Sequence, residues 1–386
     1  MMETTRELIQ ELTGIAENPG AAVRDAMQQT GKKAVGCFPI YAPEELVYAA
    51  GMLPVGMWGG NTKGNLSGKY LQSFCCSIMK ANTEQALRGD YDVLSAVIMT
   101  AYCDTLKCLM ENWKVALPQM KILPIVYAQN RKSESGRQYM KEEFLRLKKE
   151  LEAVAGTEIT DEALEDALDV YDDYRSVMQD FIRIVPDYPA LFSPMVRHLV
   201  IKAAYFMDKK VYTEKVRKLL GSLPAPETKP RSLHPVILTG LLGEPLEFLD
   251  LLEENEFQVV ADDLAQESRQ FRTIGDRSLP PLERMELTAS TFIYIPVMFP
   301  LIQAVGIDPV QFGVIAMLNM TLGLLTPPLG INLFLANGLD KRTDFNGICK
   351  TVFPMFLLLV FVLLLVTYIP GISTGLLHLW GSAGAA

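Results

Sequence analysis

The reading of this chain turns on PPLERMELTASTFIYIPVMFPLIQ, residues 280–303. The first eight residues of that stretch hold Glu283, Arg284 and Glu286; the rest hold no charge. From Thr288 to Leu339 the sole charged residue is Asp308, and Thr351 to Ile369 is a second uncharged run, of 19 residues. Upstream of Leu287 the texture is that of a water-facing protein. One globular core does not accommodate both textures, so the 386 residues are read as two parts. The few charges after Leu287 cancel, and the formal charge of −9 therefore belongs to residues 1–287. An acidic soluble part excludes nucleic-acid binding, which needs a basic footprint.

Working upstream, Met1 to Asn18 alternates charged and apolar residues at helical spacing and has no apolar signal core, so the soluble part is expected in the cytoplasm. There Cys37, Cys75, Cys76, Cys103, Cys108 and Cys349 are expected as free thiols or metal ligands rather than disulfides. Residues 3–29 read as one helix ending near Gly31. Ala34–Ile40, Leu53–Trp58, Val93–Thr100 and Ile122–Ala128 read as strands, with a helix starting at Ala42-Pro43-Glu44-Glu45. Strands alternating with helices predict a parallel, Rossmann-like α/β sheet. Residues 136–222 are mostly helical, completing a first domain over 1–222. Leu219–Ser232 reads as a proline-rich linker.

Pro235–Thr239 and Gln258–Ala261 then open a second α/β domain, with Glu244–Asn255 as the helix between them. Only about two strands are present over 233–287, so this domain reads as truncated, with an unpaired edge and open apolar faces. Residues 235–287 are expected to pack poorly. Gly240 and Gly243 read as tight-turn glycines, because no phosphate-loop motif surrounds them. Asp262 and Asp263 could bind a metal, but paired acids after a strand more often cap and solvate the loop, and they are read so. His198 and His234 have no histidine or cysteine near them in sequence and read as surface or core residues.

Cys75 and Cys76, in SFCCSIMK, follow a glycine-rich loop, and Cys103, in MTAYCDTLKC, ends an apolar strand. Loops at the carboxyl ends of parallel strands are where α/β proteins hold ligands. Thiolates there could bind zinc or an iron–sulfur cluster, with buried free thiols as the alternative.

The stretches GCFPIYAPEELVYAAGMLPVGMWGG, SFCCSIMK, YCDTLKCLMENWKVALPQMK, YAQNRKS and VVADDLAQESRQFR resemble the beta subunit of the 2-hydroxyacyl-CoA dehydratases, a family that includes benzoyl-CoA reductase subunits. The resemblance covers residues 30–287. It implies a [4Fe–4S] cluster held by three cysteines, an alpha-type partner subunit, and an ATP-driven activator that supplies one electron for radical dehydration of a 2-hydroxyacyl-CoA. Carried over, the cluster ligands are Cys76, with Cys75 as its alternate, and Cys103. The third ligand belongs downstream of VVADDLAQESRQFR, where this chain leaves the family pattern. The resemblance therefore implies an incomplete cluster site. Cys37 and Cys108 match no ligand position and read as structural.

Beyond the junction, Thr351–Ile369 is long enough to cross a bilayer. Thr291–Ile307 reads as a kinked span. Val310–Gly338 is uncharged but broken at Pro327-Pro328, a combination that survives in a membrane only within protein or beside water. IYIPVMFPLIQAVGIDP and FGVIAMLNMTLGLLTPPLGINLFLANGL resemble the carboxyl-terminal part of the large membrane subunit of tripartite ATP-independent periplasmic (TRAP) transporters. That resemblance implies a re-entrant hairpin with Asn319, Thr326, Pro327, Pro328, Gly330 and Asn332 at its tip, near a sodium and organic-acid site, and other TRAP subunits as partners. It covers about 90 residues of a far longer subunit. Lys341, Arg342 and Lys350 favour the cytoplasmic side for the segment between hairpin and last span.

The expected architecture is thus an α/β domain, a truncated second α/β domain, and an α-helical membrane segment with a re-entrant hairpin over 288–386. The bilayer is expected to be the inner (plasma) membrane, with residues 1–287 cytoplasmic. The junction falls inside two unfinished units with no linker, which reads as a defective or artefactual fusion of a dehydratase component with a transporter fragment.

Overall fold

The computed structural model describes residues 2–39, 41–60, 62, 64–72, 75–128, 133–226, 233–291, 306–327, 330–339 and 344–375. It divides into two compact units, Met1–Leu71 with Cys75–Phe292, and Gln72–Phe74 with Ile293–Ala386.

The first unit opens with two helices, α1 (Met2–Glu17) and α2 (Pro19–Thr30). The single helix expected over 3–29 is broken because Pro19 lacks the N–H an unbroken helix needs and instead starts α2. Gly31, at φ 68°, ends α2 as a left-handed cap. β1 (Ala34–Cys37), β2 (Leu53–Gly56), β3 (Leu94–Thr100) and β4 (Ile122–Ile125) form a parallel sheet in the order β2-β1-β3-β4. Between them run α3 (Glu44–Ala49), α4 (Ser77–Leu87) and α5 (Asp104–Ala116). β1, β2 and β4 end two or three residues before the expected apolar runs do, since residues such as Phe38 and Trp58 stay buried after the chain has left the ladder, whereas β3 ends at Thr100 as expected.

Alternation along β3 shows how the sheet is covered. Val97 and Met99 join the cluster containing Leu106, Leu109 and Trp113 of α5. Ala96 and Ile98 face the other way, into the cluster of Met140, Phe144, Leu147 and Leu151. These last four lie on α6 (Glu134–Ala155), which is followed by α7 (Asp161–Ile184), α8 (Pro194–Ala203) and α9 (Lys209–Gly221). α1, α7, α8 and α9 close a third cluster around Phe181, Tyr212 and Leu12. Because α9 continues to Gly221, the connection expected from Leu219 starts later; residues 227–232 of it lie outside the described residues.

A second parallel pair follows: β5 (His234–Gly240), α10 (Leu246–Glu254) and β6 (Phe257–Leu264). Among the described residues the sheet has two strands. β5 is mostly exposed, with Ile237 at 68%, whereas β6 buries Gln258, Val259, Asp262 and Leu264. The poor packing expected across 235–287 is thus confined to the β5 side. The β6 side is bonded to the helical layer, with Gln258 Nε2 donating to Pro186 O and Tyr205 Oη to Gln266 O. α11 (Pro281–Thr291) runs through the junction, burying Arg284, Met285, Glu286 and Thr288 while Leu287 is exposed.

The second unit contains α12 (Pro309–Leu325), α13 (Ile331–Leu339) and α14 (Phe345–Tyr368). Gln311 Nε2 donates to the Val366 and Thr367 carbonyls of α14, and Phe334 stacks on Phe345 at 4.9 Å. α14 has 24 residues, a mean hydropathy of 2.6 over its best window and no buried share, so it is long and apolar enough to cross a membrane. Most of the span expected over Thr291–Ile307 lies outside the described residues.

Candidate functional site

β2 and β3 end on the same side of the parallel sheet, and the chain re-enters helices there. Cys76 is the N-cap of α4 and Cys103 the N-cap of α5, both with extended backbone (ψ 151° and 166°). Cys103 Sγ accepts the Leu106 N–H at 3.4 Å. Both thiols are exposed, while Cys75 is half-buried and packs against the sheet cluster. Helix N-termini favour thiolate, the form that binds metals. Partial burial nonetheless pushes the Cys76 thiol up; the Met79 N–H works against this, and the neighbouring Cys103 and Cys75 reinforce it. A bound cation would reverse that balance.

The donor set is short. Among the described residues no three His, Cys, Asp or Glu side chains group closely enough to hold a metal ion. Cys76 and Cys103 supply two thiols, whereas iron–sulfur clusters are held by three or four. The residues present therefore do not complete a [4Fe–4S] site. Cys37 does not join them: it is buried on β1, where burial, followed by the charge of Glu44, drives its thiol well up. Cys108 is exposed on α5.

Beside Ser77, the residue after Cys76, opens a cleft of about 660 Å³. The glycine-rich loop (Gly60, Thr62, Gly64, Asn65) forms one wall, and Leu242, Glu244 and Glu247 form another. Its floor includes Lys202, which is ion-paired with Glu244.

Behind that floor lies a buried charge network. Arg197 bridges Asp262 and Glu267, and His198 Nδ1 meets Glu267 at 2.7 Å with Nε2 3.6 Å from Glu244. Burial alone would raise Glu267, but the Arg197 charge and the His198 hydrogen bond hold it at about 2. Glu244 is likewise held at about 2 against its burial, by His198 and Lys202. His198 is raised: burial disfavours its charge, and the two glutamates outweigh that. Asp262 also accepts the Leu264 and Ser268 N–H groups, so it caps the loop as expected. A side-chain carbon at Gly243 would stand 2.7 Å from Glu267 and His198, so the turn here needs glycine.

Sequence reading passed over a second cluster. Lys209 Nζ, 3.1 Å from Glu44 and donating to Ala204 O, sits over the rings of Tyr174, Tyr171 and Tyr205 at 4.6–5.7 Å. Arg175 nearby pairs with Glu45 and Asp172. They border a cavity of about 40 Å³, room for ordered water. No spacing rule joins Glu44, Arg175 and Lys209; only the fold does.

In the second unit α12 ends at Leu325, before Pro327, and α13 begins at Ile331. Thr326 Oγ1 donates to Leu322 O, and Pro327 follows. Gly330 approaches so closely that a side-chain carbon would lie 2.5 Å from the Leu324 carbonyl oxygen. Asn319 and Asn332 are exposed, and Pro328 lies outside the described residues.

With this geometry in hand, comparison with known proteins gives two matches. Residues 39–305 match the family model "2-hydroxyglutaryl-CoA dehydratase, D-component". Residues 284–372 match "Tripartite ATP-independent periplasmic transporter, DctM component". The (R)-phenyllactyl-CoA dehydratase beta subunit of Clostridium sporogenes is 43% identical over 284 residues, 74% of this chain and 76% of the relative. The lactoyl-CoA dehydratase subunit beta of Anaerotignum propionicum is 41% identical over 286 residues, again 74% and 76%. The C4-dicarboxylate TRAP transporter large permease protein DctM of Rhodobacter capsulatus is 39% identical over 97 residues, 25% of this chain and 22% of that relative. The chain thus spans about a fifth of that transporter's length.

Proposed function

The chain belongs to the 2-hydroxyglutaryl-CoA dehydratase D-component family, and on that premise we propose that residues 1–287 are the beta-type component of a 2-hydroxyacyl-CoA dehydratase. The observation that carries this reading is the pair Cys76 and Cys103, each capping a helix at the carboxyl end of the parallel sheet. We assign them as this chain's donors to a [4Fe–4S] cluster. An alpha-type subunit is the partner, and an ATP-driven activator the electron source. The remaining donors come from outside residues 1–287.

Iron and sulfide content tests this. The full chain, purified without oxygen, should hold far fewer than the roughly four irons of a complete cluster. Co-expression with an alpha-type subunit should raise iron beyond what that subunit binds alone, and Cys76→Ser or Cys103→Ser should remove the increment. An increment untouched by both substitutions would overturn the assignment.

Residues 288–386 are proposed to anchor the chain in the inner (plasma) membrane through α14, with residues 1–287 on the cytoplasmic face. The helix–break–helix of α12 and α13, closed by Gly330, supports a re-entrant hairpin reading with Asn319, Thr326, Pro327, Pro328, Gly330 and Asn332 near its tip. A fifth of a transporter is too little to enclose a site. The join is therefore read as a fusion that left both ancestral activities incomplete, and sodium-coupled uptake, with or without other TRAP subunits, is not assigned to it.

A further inference from the structure

One wall of the cleft beside Ser77 is the turn between β5 and α10 and the start of that helix, residues 242–247. Leu242 packs, partly buried, on the sheet cluster and Leu246 on the helical cluster. Between them Glu244 is the polar tie to α8. Its Oε1 meets both Lys202 Nζ and His198 Nε2, the latter at 3.6 Å, and Gly243 lies against the imidazole ring. His198 is 1% exposed, and its Nε2 has no hydrogen-bond partner among the described residues.

The charges around that ring come from three places. α8 brings Arg197 and Lys202, β6 and the loop after it bring Asp262 and Glu267, and the turn brings Glu244. Lys80 and Glu247 line the cleft itself. The Tyr205 hydroxyl donates to Gln266 O, and α1 joins α8 through the apolar cluster of Leu8, Leu12, Leu199 and Val200. A neutral ring keeps its one proton on Nδ1, because Glu267 at 2.7 Å accepts it and Arg197 holds that carboxylate ionised. Nε2 then turns a lone pair toward Glu244. One attraction on the turn becomes a repulsion, and Lys202 is left as its cation.

We propose that residues 242–247 form a proton-controlled lip: a charged His198 holds Glu244 down and keeps the cleft narrow, and a neutral His198 releases Glu244 and opens the cleft beside Cys76. Burial works against the charged ring, but Glu244 and Glu267 outweigh it, so release comes above the ordinary imidazole range of about 6.5. None of these residues is a cluster donor, so the lip does not depend on the dehydratase reading.

Trp58 reports on the lip, since it lines the same cleft and is 5% exposed. Acrylamide quenching of the detergent-solubilised full chain is measured from about pH 6 to about pH 9, on either side of the imidazole range, with Trp58→Phe as the background. The Trp58 quenching constant should rise at least about threefold, part of the roughly tenfold gain in open population that follows loss of one charge-assisted hydrogen bond. Its midpoint should match the NMR titration of the His198 imidazole. Glu244→Gln should leave quenching high at every pH. Lys202→Met should move both midpoints to higher pH, because the Lys202 charge works against the proton on His198. Quenching that does not change with pH, a rise equally large in the Trp58→Phe background, or a midpoint that departs from the His198 titration would overturn the proposal.

Discussion

Arg197 is the side chain whose loss should matter most to the first unit. It is 3% exposed, and its two carboxylate partners, Asp262 and Glu267, are buried with it. Arg197→Met keeps much of the volume but leaves buried Asp262 to the Leu264 and Ser268 N–H groups and buried Glu267 to His198. Removing one partner of a buried ion pair costs about 3–5 kcal/mol, because the orphaned charge stays desolvated. Domain stabilities are about 5–15 kcal/mol, so a large part would go. Thermal unfolding of the solubilised chain, followed by the fluorescence of Trp58 and Trp113, should show a midpoint lowered by roughly 5–15 °C. The pH dependence sharpens the test. Without Arg197 the largest influence holding Glu267 down is gone and burial favours its neutral form, so acidification neutralises it preferentially in the folded chain. The deficit should shrink as pH falls from 7 toward about 5. Adding Glu267→Gln should recover part of the loss. A deficit below about 1 kcal/mol, or one that grows on acidification, would refute the network as described.

Three further outcomes are expected. Trp113→Ala empties a fully buried site where the ring meets Phe38 edge-on at 5.4 Å and donates to Thr83, and should cost about 3–5 kcal/mol in urea unfolding; a loss under about 1 kcal/mol would contradict that packing. Glu244 and Glu267, held at about 2, give stability present above the ordinary carboxylate range and lost as pH falls through 2, whereas the raised His198 gives stability present below the ordinary imidazole range and lost as pH rises through its higher value. The network is strongest between about pH 5 and 6.5, and His198→Gln should flatten the alkaline decline in unfolding midpoint; an unchanged slope would show that His198 does not titrate as described. The full chain should sediment with membranes and leave them only in detergent, and vesicles carrying it alone should show no sodium-driven uptake of C4-dicarboxylates. Recovery in a carbonate wash would count against α14 as an anchor, and uptake would count against the incomplete-fusion reading.

The six strands were legible because each is a short apolar run bounded by Gly, Pro or acidic residues, and local pattern decides such elements. Pro19 was legible too, yet the amphipathic rhythm on either side of it concealed the break. The junction could be read from charge alone. What could not be read were groupings made by topology: Arg197 and His198 lie some 65–70 residues from Asp262 and Glu267. Lys209 reaches its tyrosine cage only after α3, α7 and α9 have packed. The cysteines fall between these cases. The place of Cys103 after a strand and of Cys76 after the glycine-rich loop followed from pattern, but their N-cap geometry needed coordinates.

The region where the two matched families meet begins within α11. The two family matches overlap from residue 284 to 305, and the helix spans the first part of that overlap. Arg284 pairs with Asp169 and Asp172, and Lys141 reaches Glu283; all of these attachments precede Leu287, whose side chain faces solvent. On the proposed fusion reading, a join at such a spot asks little of the following sequence beyond continuing a helix for a turn, a demand on which most residue types differ by less than about 1 kcal/mol. A cut a few codons earlier would have removed Arg284 and left Asp172 without one of its two buried cations. On the proposed fusion reading, a join downstream of Arg284 keeps the buried ion pairs by which α11 is tied to α7.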